Sequence, residues 1–199
     1  MTNLYKEAEW ESRYQSGQTG WDRGAASPSL TSLLDNKSFT PCRLLVPGCG
    51  RGYEVALLAE RGFDVTAIDI APSAVRAVRG LLAQQGLVAS IVQTDFLEWI
   101  ADEPFDAIYE QTSLCALSPD DWDAYEEKLR SWLKPGGKLF AHFLQTGQSG
   151  GPPFHCDLGD MRTLFSAAKW EWSEEIPKRV EHPSGRHELS AVLVRKEDQ

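Results

Sequence analysis

The chain has 199 residues, 42% of them hydrophobic, with 20 basic and 29 acidic side chains for a formal net charge of −9. That length fills one well-buried core, so a single domain over 1–199 is expected, and the acidic excess argues against a nucleic-acid partner, whose non-specific affinity comes from lysine and arginine on phosphates. No apolar run approaches the ~20 residues that span a bilayer, and the opening MTNLYKEAEWESR lacks an apolar export segment, so the expectation is a soluble, cytoplasmic chain with no membrane partner.

The first 40 residues are polar yet carry Tyr5, Trp10, Tyr14 and Trp21. Trp10 and Tyr14, four apart, share one face of a helix that Gly17 or Gly20 would end. Two readings stand side by side: a lid whose rings lie on a cofactor, where a cation would be drawn to the aromatic faces, or a plug on a sheet edge. Leu30, Leu33 and Leu34 then give a short helix, and 36–41 a linker.

Leu44, Leu45 and Val46 predict a buried strand, running through Pro47 into Gly48, Gly50 and Gly52. A helix from Tyr53 to Arg61 follows, with Gly62 as its closing glycine, and then a strand over Val65–Ile68 that ends on Asp69. Glycines let a backbone approach a ligand, free N–H groups at a helix start attract a carboxylate or phosphate, and an acid about 20 residues past the first glycine binds ribose hydroxyls in nucleoside cofactors. The spacing is G-x-G-x-G, with Tyr53 where the dinucleotide fingerprint needs glycine, which argues against NAD or FAD. It resembles motif I of the S-adenosylmethionine (SAM) dependent methyltransferases.

Pro72 opens an amphipathic helix that ends by Gly86, and Ser90–Gln93 is a third strand followed by Thr94, Asp95 and Phe96. Asp95 at the carboxyl edge of the sheet suits an exocyclic amine with Phe96 stacked on the ring, or it caps a helix over Phe96–Ile100; the two are compatible. Phe105–Tyr109 is a fourth strand, ending in Glu110, Gln111, Thr112 and Ser113 at what would be an active-site floor. Ser118 and Pro119 start a helix with Trp122, Tyr125, Leu129, Trp132 and Leu133 on one face, and Lys134–Gly137 turns into a fifth strand over Lys138–Leu144. The glycine- and proline-rich 145–156 offers Phe154 and His155 to a pocket, whereas His142, inside a strand, reads as a structural hydrogen-bonder. A helix over Asp157–Ala168 and strands near Trp170–Ile176 and Glu188–Val194 complete an α/β fold: a doubly wound, mostly parallel seven-stranded sheet with an antiparallel end. Cys42, Cys49, Cys115 and Cys156 are scattered, with no metal-ligand spacing, and are read as reduced thiols; no metal is expected.

Taken together, WESRYQSGQTGWD, LVPGCGRGYE, IDIAPSAV, TDFLEW, YEQTSLCALSP, LKPGG and GGPPF resemble the thiopurine S-methyltransferase family, especially its thiol and halide ion methyltransferase branch, over nearly the whole chain. The resemblance implies a Rossmann-like SAM-dependent methyltransferase in which Trp10, Tyr14 and Trp21 close over SAM. Gly48 would meet the methionine moiety, Asp69 the ribose, and Asp95 and Phe96 the adenine; Gly50, Gly52, Ile70, Glu110 and Gln111 would also abut the cofactor. The implied reaction is methyl transfer to a small soft nucleophile, a thiol or sulfide first and a halide or a tellurite-type oxyanion second, leaving S-adenosylhomocysteine; a non-catalytic SAM-binding module is the remaining alternative. Halide-methylating plant relatives carry tyrosine at Gln111 and Phe143 and tryptophan at Tyr14, departures that argue against halides. No general base is assigned; Glu110 and His155 are the candidates. The chain is expected to act as a monomer on a small molecule.

Overall fold

The computed structural model describes residues 3–197, with side chains from Lys6 onward, so the ring of Tyr5 lies outside the described residues. The chain packs as two compact units, Met1–Trp99 and Ile100–Gln199.

The first unit begins with helices α1 (Asn3–Gln15) and α2 (Pro28–Asp35). Three strands follow, β1 (Arg43–Pro47), β2 (Asp64–Asp69) and β3 (Ser90–Gln93), joined by α3 (Tyr53–Glu60) and α4 (Pro72–Gln85). The sequence writes each boundary. Ser27 accepts from the Ser29 N–H ahead of Pro28, Pro72 starts α4, and α4 closes on Gly86 with φ 66°. β1 is parallel to β2 and β2 to β3, with Pro47 opposite Ile68 and Asp69 opposite Gln93. Leu44, Leu45 and Val46 are all buried, the continuous apolar strand that a parallel sheet covered on both faces requires. This register brings the glycine turn, Asp69 and the Thr94–Asp95 segment out along one carboxyl edge.

The helix expected over Phe96–Ile100 does not form. Asp95 takes the Leu97 N–H on its side chain and the Glu98 and Trp99 N–H groups on its carbonyl, which makes a single turn. Asp95 is thus the cap that the sequence suggested, of a turn rather than a helix.

The second unit holds β4 (Phe105–Gln111), two 3-10 turns (Leu114–Ala116 and Pro119–Asp121), α5 (Trp122–Trp132), β5 (Leu133–Gln145), α6 (Leu158–Leu164), β6 (Trp170–Trp172), β7 (Lys178–Glu181) and β8 (His187–Arg195). β5 runs parallel to β4, and β8 lies antiparallel to β5. The mostly parallel α/β sheet with an antiparallel end is as expected; its strand count is not. Seven strands were expected and the described residues hold eight, because β6 pairs with residues 193–195 of β8 and β7 with 187–190, two short strands in succession along one edge. α6 stops at Leu164, short of the expected Ala168, since the Phe165 carbonyl accepts from the Trp172 indole at 2.8 Å. The Lys134–Gly137 turn is a register slip inside β5, with Gly136 at φ 76°.

The core of this unit is aromatic. Tyr125, Leu129 and Trp132 line the buried face of α5, and Phe143 packs against Phe165 and Trp172, with ring centroids 5.8 Å away in each case. Among the described residues no helix is long and apolar enough to cross a membrane.

Candidate active site

The glycine turn between β1 and α3 is shaped by three positive φ angles: 57° at Gly48, 56° at Gly50 and 81° at Gly52. Their reasons differ. A Cβ on Gly52 would stand 2.1 Å from Val78 Cγ2, so this residue is a glycine because α4 packs against it, a contact the sequence did not disclose. At Gly50 the nearest atom to such a Cβ is the Tyr14 hydroxyl, at 3.4 Å, and the Gly50 N–H donates to Asp69 Oδ2 at 2.9 Å. The other Asp69 oxygen accepts from the Ala71 N–H at 2.9 Å. With only 7% of Asp69 exposed, burial pushes its carboxyl up to about 6, opposed by hydrogen bonds from the backbone of Ala71, Gly50 and Ile70. Burial also raises the Cys49 thiol, so this cysteine is a small neutral packing residue.

The amino-terminal segment is clamped onto this turn. Trp21 meets both Trp10 and Tyr14 edge-to-face, with centroids 5.5 Å apart in each pair. Burial and the nearby Asp69 raise the Tyr14 hydroxyl, which keeps it neutral. The segment reaches the rest of its unit through ionic side chains. Arg51 in the glycine turn pairs with Asp22 at 2.5 Å, and Lys6 stands 3.5 Å from Asp95. Most binding of all, Glu11 caps the start of α4, accepting from the Ser73 N–H and hydroxyl at 2.7 Å each and from Arg76 at 3.1 Å. Burial works against its charge, but the bonds from Ser73, Gln15 and Arg76 outweigh it and hold the carboxyl at about 2. Glu11 and Lys6 were absent from the sequence reading, because contacts with residues as distant along the chain as Ser73 and Asp95 leave no local mark. Trp10, Tyr14, Trp21, Gly50 and Asp69 are therefore brought together, with Asp95 joined through Lys6 and two residues past Gln93, the partner of Asp69. Ile70 and Phe96 follow those acids and are half-buried.

In the second unit the end of β4 carries a buried polar network. Glu110, 2% exposed, accepts on Oε1 from the Ser113 and Leu114 N–H groups at 3.0 and 2.8 Å. Its Oε2 has no hydrogen-bond partner among the described residues. Burial pushes this carboxyl up to about 7; the Leu114 and Ser113 N–H groups oppose that, and the charge of Glu188 adds to it. Gln111 does not offer its amide outward: its nitrogen donates to the fully buried Glu188 carboxylate at 3.0 Å and its oxygen accepts from Tyr109 at 3.0 Å. His142 Nδ1 donates to the Glu110 carbonyl at 3.1 Å, the structural role expected of it. Tyr109 and Glu188 were not singled out in the sequence; 77 residues separate Glu188 from the glutamine that identifies it.

The loop over 145–156 is anchored rather than open. Gln145 donates to the Cys156 carbonyl at 2.6 Å, and the Phe154 N–H donates to the Cys115 carbonyl at 2.7 Å. His155 Nδ1 accepts from the Thr146 and Gly147 N–H groups, so the ring carries its proton on Nε2 and the nitrogen that a base would use is taken. Among the described residues no group of three or more His, Cys, Asp or Glu side chains is arranged to hold a metal ion.

The first unit fits SAM on its own geometry. A carboxylate has about four lone-pair sites, more than the backbone of Gly50, Ala71 and Ile70 takes up at Asp69, and a buried one gains most from further donors such as ribose hydroxyls. Comparison with known proteins agrees. The profile of the family described as Thiopurine S-methyltransferase (TPMT) matches residues 5–198. Thiocyanate methyltransferase 1 of Arabidopsis thaliana is 32% identical over 196 residues, covering 94% of this chain and 86% of that protein. Probable thiol methyltransferase 2 of the same plant is 32% identical over 78% of this chain and 70% of its own length. Among bacterial relatives, the thiopurine S-methyltransferase of Pseudomonas putida (strain GB-1) is 29% identical over 84% of this chain and 85% of that protein. Burkholderia thailandensis 1,6-didemethyltoxoflavin-N1-methyltransferase, solved with S-adenosylhomocysteine bound, superposes with TM-score 0.77 at 22% identity, covering 96% of this chain and 87% of that one, a likeness of fold. A Rossmann-like sheet and a family match over nearly the whole length converge: the chain is a SAM-dependent methyltransferase and belongs to the thiopurine S-methyltransferase family.

Proposed function

We propose that the protein methylates a small soft sulfur nucleophile, a thiol or hydrogen sulfide. The observation that carries this is how the polar groups at the end of β4 are spent. The Gln111 amide is held by Glu188 and Tyr109, Glu110 Oε1 by two backbone N–H groups, and His142 by the Glu110 carbonyl. An oxyanion would need several such donors turned toward it, whereas a polarisable sulfur needs few. The relatives named for thiol and thiopurine methylation support the same reading.

The chain's own residues then divide the work. Asp69 accepts from the ribose hydroxyls, Asp95 from the adenine amine with Phe96 against the ring, and Gly48, Gly50 and Gly52 keep the turn low enough for the methionine end. Trp10, Tyr14 and Trp21 cover the cofactor and exclude water, and Glu11 holds them down. When bound, SAM supplies a methyl carbon on a cationic leaving group, so positioning is most of what the protein must add.

Methylation of thiocyanate or a halide is a second reading, favoured by the relatives named as thiocyanate methyltransferases. A headspace assay of purified protein with SAM tests both, offering in separate vials hydrogen sulfide, a small organic thiol, a thiopurine, thiocyanate, iodide and tellurite. Turnover of the thiols is expected; turnover of tellurite or iodide alone would overturn the proposal.

A further inference from the structure

Arg51 and Asp22 set a cation and an anion side by side at the glycine turn. Arg51 belongs to the turn itself, between Gly50 at φ 56° and Gly52 at φ 81°, and Asp22 follows Trp21 in the aromatic segment clamped onto it. Asp22 Oδ1 accepts from the Gly24 N–H at 2.8 Å, and Oδ2 stands 2.5 Å from Arg51 Nε. The Arg51 guanidinium carbon lies 6.0 Å from the centre of the Tyr14 ring. Both side chains reach solvent, 39% of Arg51 and 18% of Asp22 being exposed. An ion pair so exposed is screened and adds little to stability, so fastening the aromatic segment is a poor account of a charge placed inside a turn of glycines. Lys6, Arg13 and Arg76 are each paired elsewhere, with Asp95, Glu9 and Glu11.

SAM ends in an α-amino acid, with one ammonium and one carboxylate on the same carbon. A cation and an anion side by side match that zwitterion in charge, whereas either alone would match half of it. A guanidinium offers a carboxylate two parallel N–H groups, and a carboxylate accepts from an ammonium. Resting on the reading that the glycine turn takes the methionine end, we propose that Arg51 and Asp22 bind the amino-acid end of SAM, Arg51 on its carboxylate and Asp22 on its ammonium. The pair opens enough to admit the zwitterion, each charge exchanging one partner of opposite sign for another, so none is left unpaired. Because Asp22 follows Trp21, an occupied amino-acid end also holds the aromatic segment down. The pair thereby selects ligands that carry the whole amino acid over nucleosides that end at the sulfur.

The test is calorimetry of the wild type and of Arg51→Gln with two ligands, S-adenosylhomocysteine and its decarboxylated analogue, which keeps the amine and lacks the carboxylate. The wild type should bind S-adenosylhomocysteine ~10- to 100-fold more tightly than the analogue, as expected of charge-assisted hydrogen bonds. Arg51→Gln should lose that factor for S-adenosylhomocysteine and bind the analogue no more weakly than the wild type does. Equal weakening of both ligands would make Arg51 a fastener of the aromatic segment alone, and an unchanged preference would put the carboxylate elsewhere; either result overturns the proposal. A wild type with no preference between the ligands would sink the placement of the methionine end first, and this proposal with it. Should Arg51→Gln not fold, phenylglyoxal modification of wild-type arginines, mapped by mass spectrometry, decides. Saturating S-adenosylhomocysteine should shield Arg51 and saturating 5′-methylthioadenosine, which lacks the amino acid, should not; equal shielding by both, or none, overturns the proposal. Neither measurement involves a methyl acceptor, so the outcome is separate from that of the sulfur-methylation reading.

Discussion

Asp69 and Glu110 are two buried carboxyls treated in opposite ways. Both sit at strand ends and both are pushed up by burial, to about 6 and about 7. Asp69 spreads its backbone donors over both oxygens, Gly50 on one and Ala71 on the other. Glu110 takes both donors on one oxygen and leaves the second unpaired. The first arrangement is a symmetrical, fixed acceptor, suited to hydroxyl groups that never change protonation. The second is lopsided, with one oxygen committed to two backbone N–H groups and the other buried without a hydrogen-bond partner among the described residues. Both units add long-range contacts to these strand ends: Glu11 on Ser73 and Lys6 beside Asp95 in the first, and Gln111 on Glu188 in the second.

Substitutions sharpen this contrast, beginning with the largest effect. Gly52→Ala should cost about 3 kcal/mol of stability, because a Cβ would collide with Val78 and the position has positive φ. Thermal or urea unfolding reads it, and a cost below ~1 kcal/mol would mean that α3 and α4 slide apart freely. Asp69→Asn should weaken S-adenosylhomocysteine binding about 10- to 100-fold by calorimetry, the value of one or two hydrogen bonds to a charged group. An unchanged Kd would remove Asp69 from the ribose. Glu11→Gln keeps the fold but loosens the clamp on Ser73 and Arg76, raising the KM for SAM by ~5-fold with kcat little changed, as for a helix cap worth ~1 kcal/mol.

Stability should follow pH in two opposed windows. Asp69 and Glu110 have folded pKa values above their ordinary 3.8 and 4.5, so the unfolded chain ionises first and each destabilises the fold as pH rises from about 4 to about 7. Glu11 is held at about 2, below its ordinary 4.5, so it stabilises above that value and its contribution disappears as pH falls toward 2. Urea midpoints at pH ~5 and ~7.5 should therefore converge in the double variant Asp69→Asn, Glu110→Gln; an undiminished slope would point to other groups.

How much of this was legible divides local from distant contacts. The strand, glycine turn, helix and acid of residues 43–69 follow from local pattern and spacing. Pro72 and Gly86 marked helix ends for the same reason. What stayed hidden depends on distance along the chain: Val78 against Gly52, Ser73 under Glu11, and Glu188 behind Gln111. Also hidden were the surroundings of Gln111, turned to Glu188 and Tyr109, and of Phe143, fully buried beside Phe165 and Trp172. β7 was missed because Lys178–Glu181 is a four-residue edge strand with little apolar pattern, paired only through β8.

The central claim is that the acceptor is sulfur rather than an anion, and a competition in one vial tests it most directly. Purified protein receives SAM with equal concentrations of a small organic thiol and iodide at neutral pH, and the headspace ratio of methyl thioether to methyl iodide is measured. The thioether should dominate. Methyl iodide as the main product of the wild-type protein would contradict the account.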